Sequence, residues 1–445
     1  MIIKDIIGLK QLDTKVIIYE KVNYNTMLME FFKNCIRDIN FSKEKLAVAQ
    51  TKETGKPIKY CFSEIERCII QFKEAISYIT KINNPTFIQE SNFSGVSDIS
   101  LMPIGTVLAI TTFSSPYSSF VHKLIPSIIT QNKFIFKPSP KVFNCSNLFF
   151  QIINNNYLKI TKNSIFCLNF EDKIIEKIFT KISFDYIMFT GTSRVAKLLK
   201  DRFPNIPGIY ETGSNAMAYI EDYLKVVNNI KDYYDLNKLG DILISNAFDQ
   251  SGMRCVGLKN VFINKKISNT LVNILVEKIK KLKYGNPLNN DTVVGPIYDR
   301  NQKESLKKVL KKLKNNGYEV LYGGEFVNNI LKPTILFNKN GNVSSTDEMY
   351  GPILCVHIVN GFEDIKKEYY SRSSINTAIY TESNTVVNNF VSYCESLTVC
   401  VNYGPATRLD TQPFGGKNDE NSGVECLCSI IPRLSKEKYI VKNIG

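Results

Sequence analysis

The chain has 445 residues, 44% of them hydrophobic, and a formal charge of +14, which is long enough for two or three domains with buried cores. Its eleven cysteines form no CxxC pair and lack the dense spacing of a disulfide scaffold, and with only two histidines present no metal site is expected. The lysines are spread through Asn- and Ile-rich stretches such as "IINNNYLKI", so the charge suits an anionic substrate or cofactor and argues against a nucleic-acid partner.

The N-terminal "MIIKDIIGLKQLD" is broken by charge too early for a signal peptide, and no apolar run reaches the roughly 18 residues of a membrane span. A cytoplasmic protein with no membrane partner is expected. Residues 26 to 82 read as helical, with apolar positions three and four apart in "FSKEKLAVAQTKETGKPI" and "SEIERCIIQFKEAISYITKI". From about residue 100 the pattern changes to short β-rich runs, "GTVLAITTF", "KFIFKP", "NSIFCLNF" and "FDYIMFTG", alternating with the amphipathic "SSFVHKLIPSIITQN" and "DKIIEKIFTKI". Strand, helix, strand at that pitch implies parallel βαβ units and an α/β, doubly wound sheet. A second α/β set begins after Glu211, with a long helical region at 222 to 250, the strand "KNVFINK" and the helix "TLVNILVEKIKKLKYG". Near the end, Cys426-Leu-Cys428 reads as a core pair on a strand rather than a metal site, and "SKEKYIVKNIG" as a terminal strand in need of a sheet, its own or a second subunit's.

Three short stretches carry chemistry. In "FDQSGMRCVGLKN" the fixed charge of Arg254 favours a thiolate at Cys255, a competent nucleophile if exposed and a small buried hydrophobe if not. Glu211, between "IPGIY" and "TGSNAMAYI", stands at the mouth of a strand beside a glycine turn, where partial burial suits a general base and exposure an ordinary helix cap. "FTGTSRVAKLL" ends a strand at Gly191 and starts a helix, exposing backbone N–H groups that can hold a phosphate.

Taken in order, the segments "PIGTVLAITTFSSPYSSFVHKLIP", "FIFKPSP", "FDYIMFTGTS", "YETGSNA", "SGMRCVG", "KLKYGNPLNNDTVVGPI", "TDEMYGPI" and "VNYGPATRLDTQPFGG" resemble the aldehyde dehydrogenase superfamily. In motif they are closest to the subgroup acting on phosphonoacetaldehyde, lactaldehyde and, without phosphorylation, glyceraldehyde 3-phosphate. The resemblance implies a Rossmann-like cofactor domain at 1–84 and 104–212, a catalytic α/β domain at 213–424, and oligomerisation segments at 85–103 and 425–445 that build a homodimer or homotetramer. It gives Cys255 the role of nucleophile and Glu211 that of base. The thiolate attacks an aldehyde, hydride passes to nicotinamide, and water activated by Glu211 hydrolyses the thioester, so the hydrolytic type is expected rather than the acylating one.

The resemblance also places Lys137 and Ser139 at the adenosine ribose, Gly191 and Thr192 near the pyrophosphate, and Glu348 and Tyr350 at the nicotinamide ribose. Pro140 stands where NAD-preferring members carry a glutamate for the ribose 2′-hydroxyl, so NAD or NADP is expected. Arg254, Arg408 and, from a phosphate-contacting position, Arg67 are the implied substrate-binding groups, since guanidinium forks suit phosphonate, phosphate or carboxylate; pairing of Arg408 with Asp410 is the structural counter-reading.

Departures from the family pattern fall at the oxyanion hole. The usual asparagine is Ser114 and the subgroup's histidine is Ser115. Losing one such donor typically costs about 100- to 1,000-fold in rate, unless water or Lys123 donates instead. Met253 replaces the glutamine usual before Arg254, "GGKNDENSGVE" is longer than the usual glycine-lysine loop, and an initial strand is missing. Two other readings follow: a catalytically impaired member of the fold with a binding or structural role, and a cysteine hydrolase pairing Cys255 with His122 or His357.

Overall fold

The computed structural model describes residues 21–443, apart from 82–86, 89–94, 162–164, 169–182, 223, 228–229, 234, 339–347, 371–373, 410–411 and 418–421. The chain divides into two compact units. One comprises residues up to Leu46, Ser63–Tyr210 and Val424 onward; the other comprises Ala47–Phe62 and Glu211–Gly423. Three helices, Lys21–Phe41, Lys43–Thr54 and Ile58–Lys81, fill the segment whose periodicity is helical.

The first unit carries five neighbouring strands of one sheet, in the spatial order Gly208–Glu211, Tyr186–Thr190, Thr106–Ile110, Lys133–Lys137, Ile165–Cys167. Thr106–Ile110 pairs in parallel with both Lys133–Lys137 and Tyr186–Thr190. The strands are short and apolar because helices cover their faces; Pro116–Ile129 buries eleven of its residues. In chain order the central strands run outward from Thr106–Ile110 in one direction, and then from Tyr186–Thr190 in the other. The order reverses between these two strands, and the loops leaving their C-terminal ends, 111–115 and 191–192, therefore flank the crevice where such sheets take their ligands.

The second unit carries seven strands in the order Glu319–Tyr322, Thr334–Asn338, Ile353–Val359, Leu258–Asn264, Ala216–Ile220, Asn376–Tyr380, Thr398–Val401. All neighbouring pairs are parallel except the first. Helices Leu236–Phe248 and Lys265–Lys280 close over one face through Leu239, Leu243, Leu271 and Leu275, against Val261, Ile263 and Val356. The long helix expected at 222 to 250 is shorter. Strands Leu224–Val227 and Ile230–Tyr233 pair antiparallel ahead of it, and the helix starts at Leu236, capped by Asp235, which accepts the Lys238 N–H at 3.1 Å.

The C-terminal strand Ser435–Asn443 joins a sheet of its own chain. It pairs antiparallel with Gly95–Pro103 along its full length, from Ser435 opposite Pro103 to Asn443 opposite Gly95. Phe87–Ile88 pairs on the other side, leaving Ser435–Asn443 as the edge strand, with Tyr439, Ile440 and Val441 exposed. Among the described residues no helix is long and apolar enough to cross a membrane.

Candidate active site

In the second unit, the three stretches that matter lead into three adjacent parallel strands. Residues 211–215 run into Ala216–Ile220, Cys255 and Gly257 precede Leu258–Asn264, and Glu348–Pro352 precede Ile353–Val359. Parallel register brings their N-terminal ends side by side: Leu258 lies opposite Ala216 and Asn260 opposite Cys355. Side chains then tie the loops together. The Ser214 hydroxyl donates to the Cys255 carbonyl at 2.7 Å. The Tyr350 hydroxyl donates to the Met253 carbonyl at 3.0 Å, and Gln302 Nε2 donates to the Tyr350 carbonyl at 2.9 Å. The Glu348 carboxylate lies so close to Gly213 that an added Cβ there would fall 1.8 Å from Oε1. Two residues away, half-buried Glu211 ends its strand.

Cys255 is half-buried and packs beside Val256, Ile375, Ala406 and Phe414. It follows a turn in which Gln250, Ser251 and Gly252 all have left-handed backbones, with φ of 58°, 60° and 64°. Two consecutive non-glycine residues in that region are strained, and the surroundings hold them there: Ser251 N–H donates to Val293 at 3.2 Å, and its hydroxyl accepts Gly295 N–H at 2.9 Å.

Lys259 completes the arrangement, although the sequence pattern assigns it no role. It is fully buried, and its Nζ donates to the carbonyls of Gly252 at 2.5 Å and Gly351 at 2.8 Å. One side chain thus bolts the cysteine turn to the Glu348 turn. Burial pushes its ammonium down to about 7, against the attraction of Glu348. Two carbonyls match the two N–H donors of a neutral amine, whereas an ammonium would keep a third donor buried. Unfolded, the group binds a proton below about 10.5; folded, it does so only below about 7, so stability rises with pH across that window. The difference in unfolding free energy between wild type and Lys259→Met is expected to grow by about 2 kcal/mol from pH 7 to pH 9. Denaturation at both pH values reads it, and a pH-independent difference would mean Lys259 is charged in the fold.

The arginines converge on one segment. Arg254 Nη2 donates to the Ala406 carbonyl at 3.4 Å, and Arg408 lies with its guanidinium 4.1 Å above the Phe414 ring. Asp410, its alternative partner, lies outside the described residues. His357 is buried, bonded through Nε2 to Asn260 at 3.1 Å and stacked on Phe262, which makes it a core histidine.

In the first unit the loop 111–115 brings Ser114 within 3.3 Å of the Thr112 hydroxyl, and Ser115 stands at the start of helix Pro116–Ile129 without capping it through its side chain. That helix is capped instead by buried Glu64, which accepts from the N–H groups of Tyr117 at 2.9 Å and Ser118 at 3.2 Å; half-buried Arg67 follows one turn later on helix Ile58–Lys81. Lys123 is fully buried, donating to Glu425 at 2.9 Å and to the Thr190 hydroxyl at 2.6 Å. His122 accepts from Gln71 at 2.9 Å.

The residues present fit a dinucleotide. Lys137 is buried at the C-terminal end of its strand, and Ser139 precedes the turn Pro140–Val142, with Pro140 exposed. Gly191 turns the chain where a Cβ would come 2.5 Å from the Phe189 ring, and Thr192 caps helix Ser193–Arg202 through Val195 N–H. The helix therefore presents first-turn N–H groups, with Arg194 and no acid among its first residues, at the point where the strand order reverses.

Comparison with known proteins matches the profile of the aldehyde dehydrogenase family to residues 29–433. The chain belongs to the aldehyde dehydrogenase family. Among its relatives, a lactaldehyde dehydrogenase from Methanococcus aeolicus is 28% identical over 413 residues, covering 91% of this chain and 85% of that protein. A 3-sulfolactaldehyde dehydrogenase from Priestia aryabhattai is 24% identical over 408 residues, covering 90% and 83%. The solved structure of the glyceraldehyde-3-phosphate dehydrogenase GapN from Methanocaldococcus jannaschii, complexed with NADP, superposes with a TM-score of 0.84 at 26% identity, over 99% of this chain and 92% of that one. The expected α/β aldehyde dehydrogenase fold, and the expected enzyme class with NAD or NADP as cofactor, are thereby borne out.

Proposed function

We propose that this aldehyde dehydrogenase oxidises a small anionic aldehyde to its carboxylic acid through a thioester on Cys255. The observation that carries the reading is the meeting of Cys255, residues 211–213 and Glu348 at three adjacent strand ends, with Arg254 donating to the Ala406 carbonyl and Arg408 lying over the Phe414 ring. The relatives named for lactaldehyde and 3-sulfolactaldehyde support a small substrate, and the second of these carries a charged group that a guanidinium would grip.

Cys255 Sγ, as thiolate, bonds to the carbonyl carbon, and the oxygen becomes an oxyanion to which the Cys255 N–H donates, Ser114 being the residue that stands for the family pattern's oxyanion-hole asparagine. NAD or NADP, when bound, supplies the hydride acceptor; Lys137, Ser139, Gly191, Thr192 and Glu348 are the residues that would hold it. Exposed Lys141, 5.1 Å from the Phe113 ring and next to Pro140, favours the extra phosphate of NADP, the cofactor in the GapN structure. Glu211 takes a proton from water as the water attacks the thioester, which releases the acid and returns the thiolate. Tyr350, with its hydroxyl on the Met253 carbonyl, shapes the nucleophile turn. The exposed edge strand Ser435–Asn443 is the surface through which a homodimer or homotetramer would form, in the cytoplasm.

The test is a set of anionic and neutral aldehydes assayed with NAD and with NADP on wild type and Arg408→Ala. The substitution removes one charge-assisted hydrogen bond, worth about 1.5–3 kcal/mol, so KM for the anionic substrate is expected to rise by roughly 10- to 100-fold, and that for propionaldehyde to change little. Equal effects on both would assign Arg408 to structure, and no cofactor reduction with any aldehyde would favour the impaired, binding-only reading that Ser114 supports.

A further inference from the structure

The pair Cys426-Leu-Cys428, expected as core residues on a strand, is neither in the core nor on a strand. The chain leaves Ser422–Glu425 at Cys426, whose extended backbone (φ −162°, ψ 161°) leads into the short helix Leu427–Ile430. Cys428 is exposed and Cys426 half-buried. The bend folds the two side chains onto each other, so that their sulfurs lie 2.6 Å apart, well inside the roughly 3.5–4.0 Å at which non-bonded heavy atoms rest. Ser429 fixes the inner sulfur: its N–H donates to Cys426 Sγ at 3.3 Å, and the Cys426 thiol donates to its hydroxyl at 3.1 Å. Six of the other nine cysteines are buried, and Cys428 is the exposed one of the eleven.

We propose that Cys426 and Cys428 form a redox-active dithiol, a modification site separate from the Cys255 chemistry, that closes to a disulfide under mild peroxide. Burial, and then the hydrogen bond with Cys428, push the Cys426 thiol up, so the exposed sulfur meets the oxidant first. Cys428, as thiolate, attacks the O–O bond of hydrogen peroxide and becomes a sulfenic acid, releasing hydroxide that leaves as water. Cys426 then attacks the Cys428 sulfur, the S–S bond forms, the S–O bond breaks, and a second water carries away the remaining proton. Two thiols have lost two electrons and two protons to one peroxide. The ring constrains the residue following Glu425, the buried partner of Lys123, and a dithiol reductant reopens it.

Trypsin cleavage after Lys417 and Arg433 releases residues 418–433, which contain these two cysteines and no others. Native enzyme treated with a few equivalents of hydrogen peroxide, quenched, denatured and alkylated is expected to give this peptide unalkylated and about 2 Da lighter than the dithiol. Dithiothreitol before alkylation should restore two alkyl groups, and Cys428→Ser should abolish the lighter species. Peptide 418–433 alkylated as fully after peroxide as before would overturn the proposal, as would Cys428 recovered as sulfinic or sulfonic acid with Cys426 still alkylated. The readout is mass, not turnover, and stands whatever the aldehyde proves to be.

Discussion

Cys255→Ser is expected to lower kcat by at least ~10⁴-fold while leaving NADP affinity unchanged, the scale seen when a covalent catalyst loses its nucleophile. A serine hydroxyl stays protonated near neutral pH unless a base such as His takes its proton, and His357, in the same unit, is spent on Asn260 and Phe262. The fold does not depend on the sulfur. The turn is held by backbone groups: the Cys255 carbonyl accepts from Ser214, the Met253 carbonyl from Tyr350 and the Gly252 carbonyl from Lys259. Binding residues proposed for the dinucleotide include Lys137, Gly191 and Thr192, none of which the substitution touches. Reduced-cofactor absorbance reads the rate and a fluorescence titration reads the affinity. Residual turnover above about 1% of wild type would remove Cys255 from its role.

Much of the fold was legible because alternation of short apolar runs with amphipathic stretches has one common solution, helices covering a parallel sheet. The runs at 106–110, 133–137, 186–190 and 258–264 became strands for that reason. Misreading 222 to 250 as a helical region came from apolar spacing in "YLKVVNNIKDYYDL" that also fits the two short strands Leu224–Val227 and Ile230–Tyr233. The terminal strand was visible as a strand, but its partner, Gly95–Pro103, stands more than 330 residues earlier, from Ser435 opposite Pro103 to Asn443 opposite Gly95, a distance that local pattern cannot bridge. At the site, Cys255 and Glu211 could be named from motif. The left-handed run at Gln250 and Ser251 could not, since neither residue is the glycine such a backbone usually demands. Lys259 did leave a signal: it is the one charged residue in the apolar run "LKNVFIN", and a buried cation there needs acceptors, which the carbonyls of Gly252 and Gly351 supply. Cys426 and Cys428 were misplaced because two-residue spacing describes a face only where the strand continues, and here it ends at Glu425.

Glu211→Gln is expected to give one equivalent of reduced cofactor per active site in the first turnover and then a steady rate lower by roughly 10²- to 10⁴-fold, the usual contribution of a general base. The amide keeps the shape of the carboxylate, so the end of strand Gly208–Glu211 and the turn through Gly213 are undisturbed, but it cannot take a proton from water. In the proposed route, thiohemiacetal formation and hydride loss do not need that base, whereas thioester hydrolysis does. A second carboxylate makes the experiment discriminating. Glu348 lies against Gly213, two residues along the chain from Glu211, which makes it the rival base to be tested. The proposed division gives Glu348 to the cofactor, so Glu348→Gln should weaken NADP binding and slow the first turnover without a burst. Rapid-mixing absorbance on both variants separates the roles. Steady turnover in Glu211→Gln, together with a burst in Glu348→Gln, would reverse them and make Glu348 the deacylating base.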